Sequence, residues 1–247
     1  MMMTSSRANV SKVGVVLPAA GKGRRFGEAK QFRLLGKRPL LFHALRPFLE
    51  EACVHEVVVV VPQEMVGQTE RELSSLTQAK TIHVVPGGPR RQDSVYQGVK
   101  ILSSLCNLVC IHDAARPFLT PRMIQETVAA CQDFDGAVVA VPSRDTVKQV
   151  DKLTYRIRTT LPRETIWLAQ TPQTFHRQPL KKALHQAEES GLMVTDEAML
   201  LEELGYSLTI VEGSPMNVKI TTPEDWGLAQ YYYQQQRSTE HFTPQAR

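Results

Sequence analysis

The chain has 247 residues, 42% of them hydrophobic, and a formal net charge of +4. That length suits one large α/β domain or two small ones, and no stretch approaches the apolar run needed to cross a membrane. With 6% aromatic residues and a modest basic excess, the composition argues against a dedicated nucleic-acid binder, which carries a broad basic face with stacking rings.

In chain order, Met1–Ser11 is short and polar, without the apolar segment of a signal peptide, so a cytoplasmic setting is expected. Val13–Leu17 is an apolar, β-branched run that breaks into a loop, Pro18–Gln31, rich in glycine and carrying Lys22, Arg24, Arg25 and Lys30. A helix is expected from Pro39 at its first position through Leu49, with Pro47 expected to kink it. Val54–Val61 is almost unbroken valine and reads as a strand buried on both faces. Further strands are expected at Thr81–Val85, Leu108–His112, Gly136–Val141, Ser207–Val211 and Asn217–Ile220. Helices are expected at Ser94–Ser104, at Pro121–Asp133 after a Thr120 cap, from Thr195-Asp196-Glu197 to Gly205, and from Thr222-Pro223 into a Gln-rich end. The tail from Arg237 is polar and expected to fray.

This alternation predicts an α/β fold: a mostly parallel sheet between helix layers, as one domain over residues 1–247. Between about residues 146 and 175 the pattern only alternates loosely and is poor in apolar residues, as in Val147-Lys148-Gln149-Val150. A β-arm projecting from the body is expected there, placed to pack on a second copy of the chain. Cys53, Cys106, Cys110 and Cys131 make neither a CxxC pair nor a zinc pattern, which suits reduced, buried thiols.

The chemistry-bearing motifs fall at the ends of the expected strands. Glycines let a backbone turn tightly and offer N–H groups to an anion, and the cationic Gly21-x-Gly23-x-x-x-Gly27 loop suits a polyphosphate. It is a poor dinucleotide fingerprint, which would run straight into a helix and be followed by an acid after the next strand. Here Val54–Val61 ends in Pro62-Gln63. Asp113 follows the Leu108–His112 strand at the edge where open α/β sheets bind ligands, so it is either a Mg²⁺ ligand or a turn cap. Gly87-Gly88-Pro89-Arg90-Arg91-Gln92-Asp93-Ser94 is either a second anion-binding loop or an ordinary turn with solvated arginines and Asp93 or Ser94 as cap. Lys219 is either a ligand contact or an edge-strand charge.

Together with His112-Asp113-Ala114-Ala115-Arg116-Pro117, Arg144-Asp145-Thr146, Gln170-Thr171-Pro172-Gln173, Thr195-Asp196-Glu197 and Asn217-Val218-Lys219, these motifs stand in an order that resembles the 2-C-methyl-D-erythritol 4-phosphate cytidylyltransferase family. The likeness spans Val13 to Trp226. It implies a Rossmann-like nucleotidyltransferase three-layer sandwich, a homodimer built with the arm, and Mg²⁺-dependent transfer of CMP from CTP to methylerythritol phosphate. By matching positions, Arg25 and Lys30 would act at the CTP phosphates, and Arg163 and Lys219 on the substrate phosphate. Asp113 would hold Mg²⁺. Ala19, Ala20, Gly21, Gly23, Gly88, Arg91, Ser94, Arg116, Thr146 and Thr195 would line the substrates, with Thr146 and Arg163 reaching the partner's site. The sequence departs from the family pattern at Pro89, which has no N–H to offer, and at Met216-Asn217, where related enzymes supply a second acid. Neither nucleic acid nor membrane is an expected partner.

Overall fold

A computed structural model describes residues 11–21, 23, 25–74, 76 and 79–240; Lys22, Arg24 and both chain ends lie outside the described residues. In chain order the elements are β1 Val13–Pro18, β2 Leu34–Leu35, β3 Arg38–Pro39, α1 Leu40–Glu50, β4 Val54–Val61, α2 Val66–Ser74, β5 Thr81–Pro86, α3 Arg91–Ile101, β6 Leu108–Ile111 and α4 Pro121–Ala130. They continue with β7 Gly136–Pro142, β8 Lys148–Val150, β9 Ile157–Thr160, β10 Trp167–His176, α5 Arg177–Ser190, α6 Glu197–Glu203, β11 Leu208–Glu212 and α7 Pro223–Glu240.

Seven strands make one sheet in the order β11-β7-β10-β6-β1-β4-β5. All neighbours run parallel except β10, which is antiparallel to both β6 and β7. Because side chains alternate across a strand, β1 sends Val13, Val15 and Leu17 into one apolar layer with Leu41, Leu45 and Phe48 of α1 and Met123 and Ile124 of α4. Val16 joins Val58, Val109, Ile111 and Phe175 in the opposite layer, under Val95 and Val99 of α3 and Leu180 and Leu184 of α5. The central strands are therefore apolar on both faces, as a sheet covered by helices on both sides requires. No helix among the described residues is long and apolar enough to cross a membrane.

A third, smaller cluster holds the cationic loop. Phe26, Leu35, Leu40, Phe118 and Ile220 pack with Trp226 and Ala229 of α7. Phe26 meets Trp226 edge-on at 5.9 Å between centroids, and the Arg33 guanidinium lies 4.7 Å from the Trp226 ring centroid. The last helix thus clamps the loop that follows the first strand.

Several expectations are corrected. Trp167–His176 belongs to the interior of the sheet, so the arm reduces to the β8–β9 hairpin and its flanks rather than running to about 175. The sequence conceals this strand because its buried stretch is polar, with Gln170, Thr171, Gln173 and Thr174 all under 9% exposed and hydrogen-bonded. Asn217–Ile220 forms no strand; its backbone is held to other segments, with Ile220 N–H donating to Ala115 C=O. Pro39 ends β3 as the N-cap of α1 rather than opening the helix, and α1 runs unbroken through Pro47. Helix α3 starts at Arg91, and Asp93 sits inside its first turn, accepting from the Arg90 backbone N–H at 3.0 Å. Helices α2 and α5 carry no expectation from the sequence; α5 is amphipathic but starts directly from β10 with no separating loop.

Candidate active site

The loop after β1 is shaped by one glycine and one glutamine. Gly23 has φ +61°, and a Cβ there would lie 1.7 Å from the Glu28 carbonyl oxygen. The buried Gln31 side chain donates from Nε2 to the carbonyls of Ala19 (2.6 Å) and Gly21 (2.9 Å), pinning the loop's return to its start. Lys30 is thereby held half-buried beside the site, while Arg25 is exposed. The Lys30 ammonium is pushed below the ordinary lysine range by burial, then by the neighbouring charges of Lys219 and Arg25. Three cations are thus concentrated on one spot.

Asp225 and Asp113 oppose that shift of Lys30. The carboxylate paired with Lys219 is Asp113, just past the end of β6 and 6% exposed. Its Oδ1 accepts from Arg91 Nε at 2.9 Å and its Oδ2 pairs with Lys219 Nζ at 2.7 Å, with Arg116 Nε at 3.9 Å. Burial alone would raise this carboxyl, but Arg91, Lys219 and Arg116 outweigh it and hold it well below the usual carboxylate range. Arg91 in turn donates from Nη1 to both oxygens of Glu197, at 2.8 Å each. Glu197 opens α6 and is 0% exposed. Burial raises its carboxyl and Arg91 opposes that shift.

The polar stretch of β10 is the frame for these charges. Thr171 Oγ1 accepts from the Asp113 backbone N–H (3.1 Å) and lies 2.9 Å from His112 Nδ1, while His112 Nε2 lies 3.0 Å from the Arg116 carbonyl. The carbonyl can only accept, so the neutral ring carries its proton on Nε2 and takes the Thr171 hydroxyl on Nδ1. Asn217 Nδ2 donates to Gln170 Oε1 (3.1 Å) and the Thr171 carbonyl (2.8 Å), and Arg116 Nη1 donates to the Asn217 carbonyl at 2.6 Å. Gln173 Nε2 donates to Asp196 Oδ2 at 2.8 Å, and Asp196 caps α6 through Met199 N–H. One strand therefore fixes the Asp113 turn, the Lys219 segment and the Glu197 helix together.

Against known proteins, residues 13–235 match the family model described as "IspD: 2-C-methyl-D-erythritol 4-phosphate cytidylyltransferase". The chain belongs to this family. It is accordingly a nucleotidyltransferase. The 2-C-methyl-D-erythritol 4-phosphate cytidylyltransferase of Halalkalibacterium halodurans is 41% identical over 213 residues, 85% of this chain and 92% of that one. That of Dictyoglomus thermophilum is 38% identical over 214 residues, 86% of this chain and 92% of that one. Among solved structures, the Thermus thermophilus enzyme of the same name is 32% identical, with a TM-score of 0.73 over 90% of this chain and 99% of that one. The 4-diphosphocytidyl-2C-methyl-D-erythritol synthase of Anaerococcus prevotii is 26% identical, with a TM-score of 0.82 over 91% and 97% of the two chains. The α/β nucleotidyltransferase fold expected from the sequence is thereby established.

Within the family fold, Arg25, Lys30, Arg91, Asp113, Arg116 and Lys219 converge in one charged network. Ala20, Gly87 and Ser94 form its neighbour: a Cβ at Gly87 would lie 2.3 Å from Ala20 Cβ and 2.7 Å from Ser94 Oγ. Gly88 N–H donates to Ser94 Oγ at 3.2 Å, and Ala19 is buried with its N–H on the Val60 carbonyl. Gly21 is exposed on the loop, and Thr195 is exposed immediately before the α6 cap. Thr146 and Arg163 stand apart on the exposed arm, where Arg163 meets the Arg144 carbonyl and Glu164. Lys219 is not an edge-strand charge but a loop cation on Asp113. Gln31, Thr171, Glu197 and Asn217 lie within the sequence motifs, yet the motifs assign them no roles of their own. Gln31 bonds within its own loop, whereas the partners of Thr171, Glu197 and Asn217 lie far away in sequence, where no local pattern points to them.

His112 supplies a pH test. Burial, first of all, depresses it to about 4 although the Arg116 carbonyl favours its charged form. A depressed histidine leaves the unfolded chain binding more protons between the two pKa values, so stability rises with pH from about 4 to 6.5. That amounts to about 3 kcal/mol from this residue. NMR titration of the His112 ring is expected to show its midpoint near 4, and a midpoint in the ordinary histidine range would contradict the buried neutral ring.

Proposed function

We propose that the chain transfers the cytidylyl group of CTP to 2-C-methyl-D-erythritol 4-phosphate, a step in isoprenoid synthesis. A phosphate oxygen of the acceptor attacks the α-phosphorus of CTP, the α–β phosphoanhydride bond breaks, and pyrophosphate leaves with the electron pair. The observation that carries this reading is the family match over residues 13–235, joined to the cations of Arg25, Lys30 and Lys219 around Asp113.

The nucleophile is already anionic at neutral pH, so a strong general base is not required. Repulsion between two polyanions is the barrier to lower, and prearranged cations and backbone donors lower it electrostatically. Arg25 and Lys30 meet the triphosphate, and Gln31 keeps Lys30 in place. Ala19, Ala20, Gly21, Gly23, Gly88 and Ser94 receive the nucleotide, largely through backbone groups. Lys219 meets the acceptor phosphate, with Arg163 and Thr146 arriving on the arm of a second subunit. Arg91 and Arg116 hold Asp113, and Thr195 stands on the acceptor side.

Mg²⁺ fits this donor set. Asp113 is a buried, fully ionised carboxylate whose charge the protein balances with cationic side chains. Among the described residues no group of three or more His, Cys, Asp or Glu could form an all-protein cage. A single carboxylate suits Mg²⁺, which keeps waters and takes its remaining ligands from substrate phosphates. Bound there, the ion would neutralise phosphate charge.

The arm supports a homodimer. It leaves Leu153 88%, Tyr155 80% and Ile157 64% exposed, apolar surface that a second copy would cover.

Pyrophosphate release with CTP is expected with methylerythritol phosphate as acceptor, and a strong preference for ribitol 5-phosphate would overturn the choice of substrate. Lys30→Ala and Arg25→Ala are each expected to lower turnover by on the order of 10² or more with the fold intact; near-normal rates in both would remove their roles. Sedimentation velocity is expected to show a dimer, and a monomer would refute the shared site.

A further inference from the structure

The Asp113–Arg91–Glu197 chain poses a problem for any ligand that takes Asp113. Arg91 carries a half-buried positive charge, its side chain 28% exposed, and losing a partner in so poorly hydrated a position is unfavourable. If Asp113 were its sole counterion, a metal would have to strip a half-buried guanidinium of its partner in order to bind. The structure gives Arg91 a second anion: both oxygens of Glu197, at 2.8 Å, on a carboxylate that is 0% exposed and therefore reaches no solvent ligand itself. The two carboxylates use different guanidinium nitrogens, Nε for Asp113 and Nη1 for Glu197. The Asp113 bond can therefore loosen while the Glu197 pair stays intact. Of the other cations on Asp113, Lys219 is 39% exposed in its side chain and can find water or phosphate instead, and Arg116, 3.9 Å away, keeps its Nη1 bond to the Asn217 carbonyl.

We propose that Glu197 is a positioning residue for metal capture: it keeps Arg91 neutralised so that Asp113 is free to exchange its protein cations for the Mg²⁺–nucleotide. This rests on the reading of Asp113 as the metal ligand. The rest of the site fits the arrangement. Glu197 heads α6, whose cap Asp196 is tied to Gln173 of β10 (2.8 Å), and β10 also holds the Asp113 backbone through Thr171. Both carboxylates are therefore set on one frame, at a fixed separation from Arg91.

The test uses the full chain with Mn²⁺ as a spectroscopic stand-in, its binding followed by electron paramagnetic resonance in the presence of CTP. Metal-free CTP binding is followed separately by calorimetry in EDTA. Glu197→Gln keeps a hydrogen-bond acceptor but removes the charge. It is expected to weaken Mn²⁺ by about 10- to 100-fold while metal-free CTP, a polyanion meeting one more net positive charge, binds unchanged or more tightly. The double variant Arg91→Gln/Glu197→Gln removes both charges of the pair and is expected to recover most of the Mn²⁺ affinity. It carries the test even where the single variant does not fold. Wild-type Mn²⁺ affinity in Glu197→Gln, equal losses of Mn²⁺ and metal-free CTP, or a double variant as defective as the single one would each overturn the proposal. Asp113→Asn in parallel separates the two layers: if it binds Mn²⁺ as tightly as wild type, the reading of Asp113 as ligand fails as well.

Discussion

The site is organised by one electrostatic constraint, a carboxylate that is buried and must remain charged. Asp113 lies at the carboxyl end of β6, between strands that are apolar on both faces, where an unpaired anion would be expelled. Its ionisation is secured by Arg91, Lys219 and Arg116, drawn from a helix, a late loop and its own turn. Arg91 and Lys219 have to be brought from distant parts of the chain, whereas Arg116 comes with the turn itself. Much of the topology around the site can be understood as the means of delivering them.

β10 is the element that makes the delivery possible. Running antiparallel between β6 and β7, it places Gln170, Thr171 and Gln173 in the middle of the sheet, where an apolar strand would offer no hydrogen bonds. Those side chains bind the Asp113 backbone, the Asn217 segment and the α6 cap. Rigid placement of this kind is what electrostatic catalysis needs, since donors and charges that are already oriented do not have to reorganise as the reaction proceeds. The loop after β1 is treated differently. Gln31 pins its ends and Trp226 covers its Phe26, while Arg25 is left in solvent.

Much of this is legible in the residues themselves. The valine run of β4 and the β-branched start of β1 announce a doubly covered sheet, and Gly23 announces a turn that no side chain could occupy. Local chemistry of this kind depends on near neighbours and survives being read in one dimension. β10 escapes such a reading because its apolar count is low; its burial is justified by hydrogen bonds to residues scattered from 112 to 217, which no periodicity reveals. Val218 and Ile220 flank Lys219 and suggest a strand, yet that backbone is held by Ala115 and Ser214 rather than by a sheet neighbour. Glu197 looks like an acid in the first turn of a helix, a common stabilising position, and nothing nearby discloses that it faces Arg91 across the site.

Everything around the site depends on the charge of Asp113, and Asp113→Asn tests that dependence most directly. The substitution keeps the size and one acceptor oxygen while removing the anion that pairs with Arg91 and Lys219. Steady-state pyrophosphate release from CTP, measured on variant protein shown to be folded by circular dichroism, is predicted to fall by on the order of 10² or more. Turnover close to that of the unaltered chain would contradict the claim that this buried carboxylate organises the site.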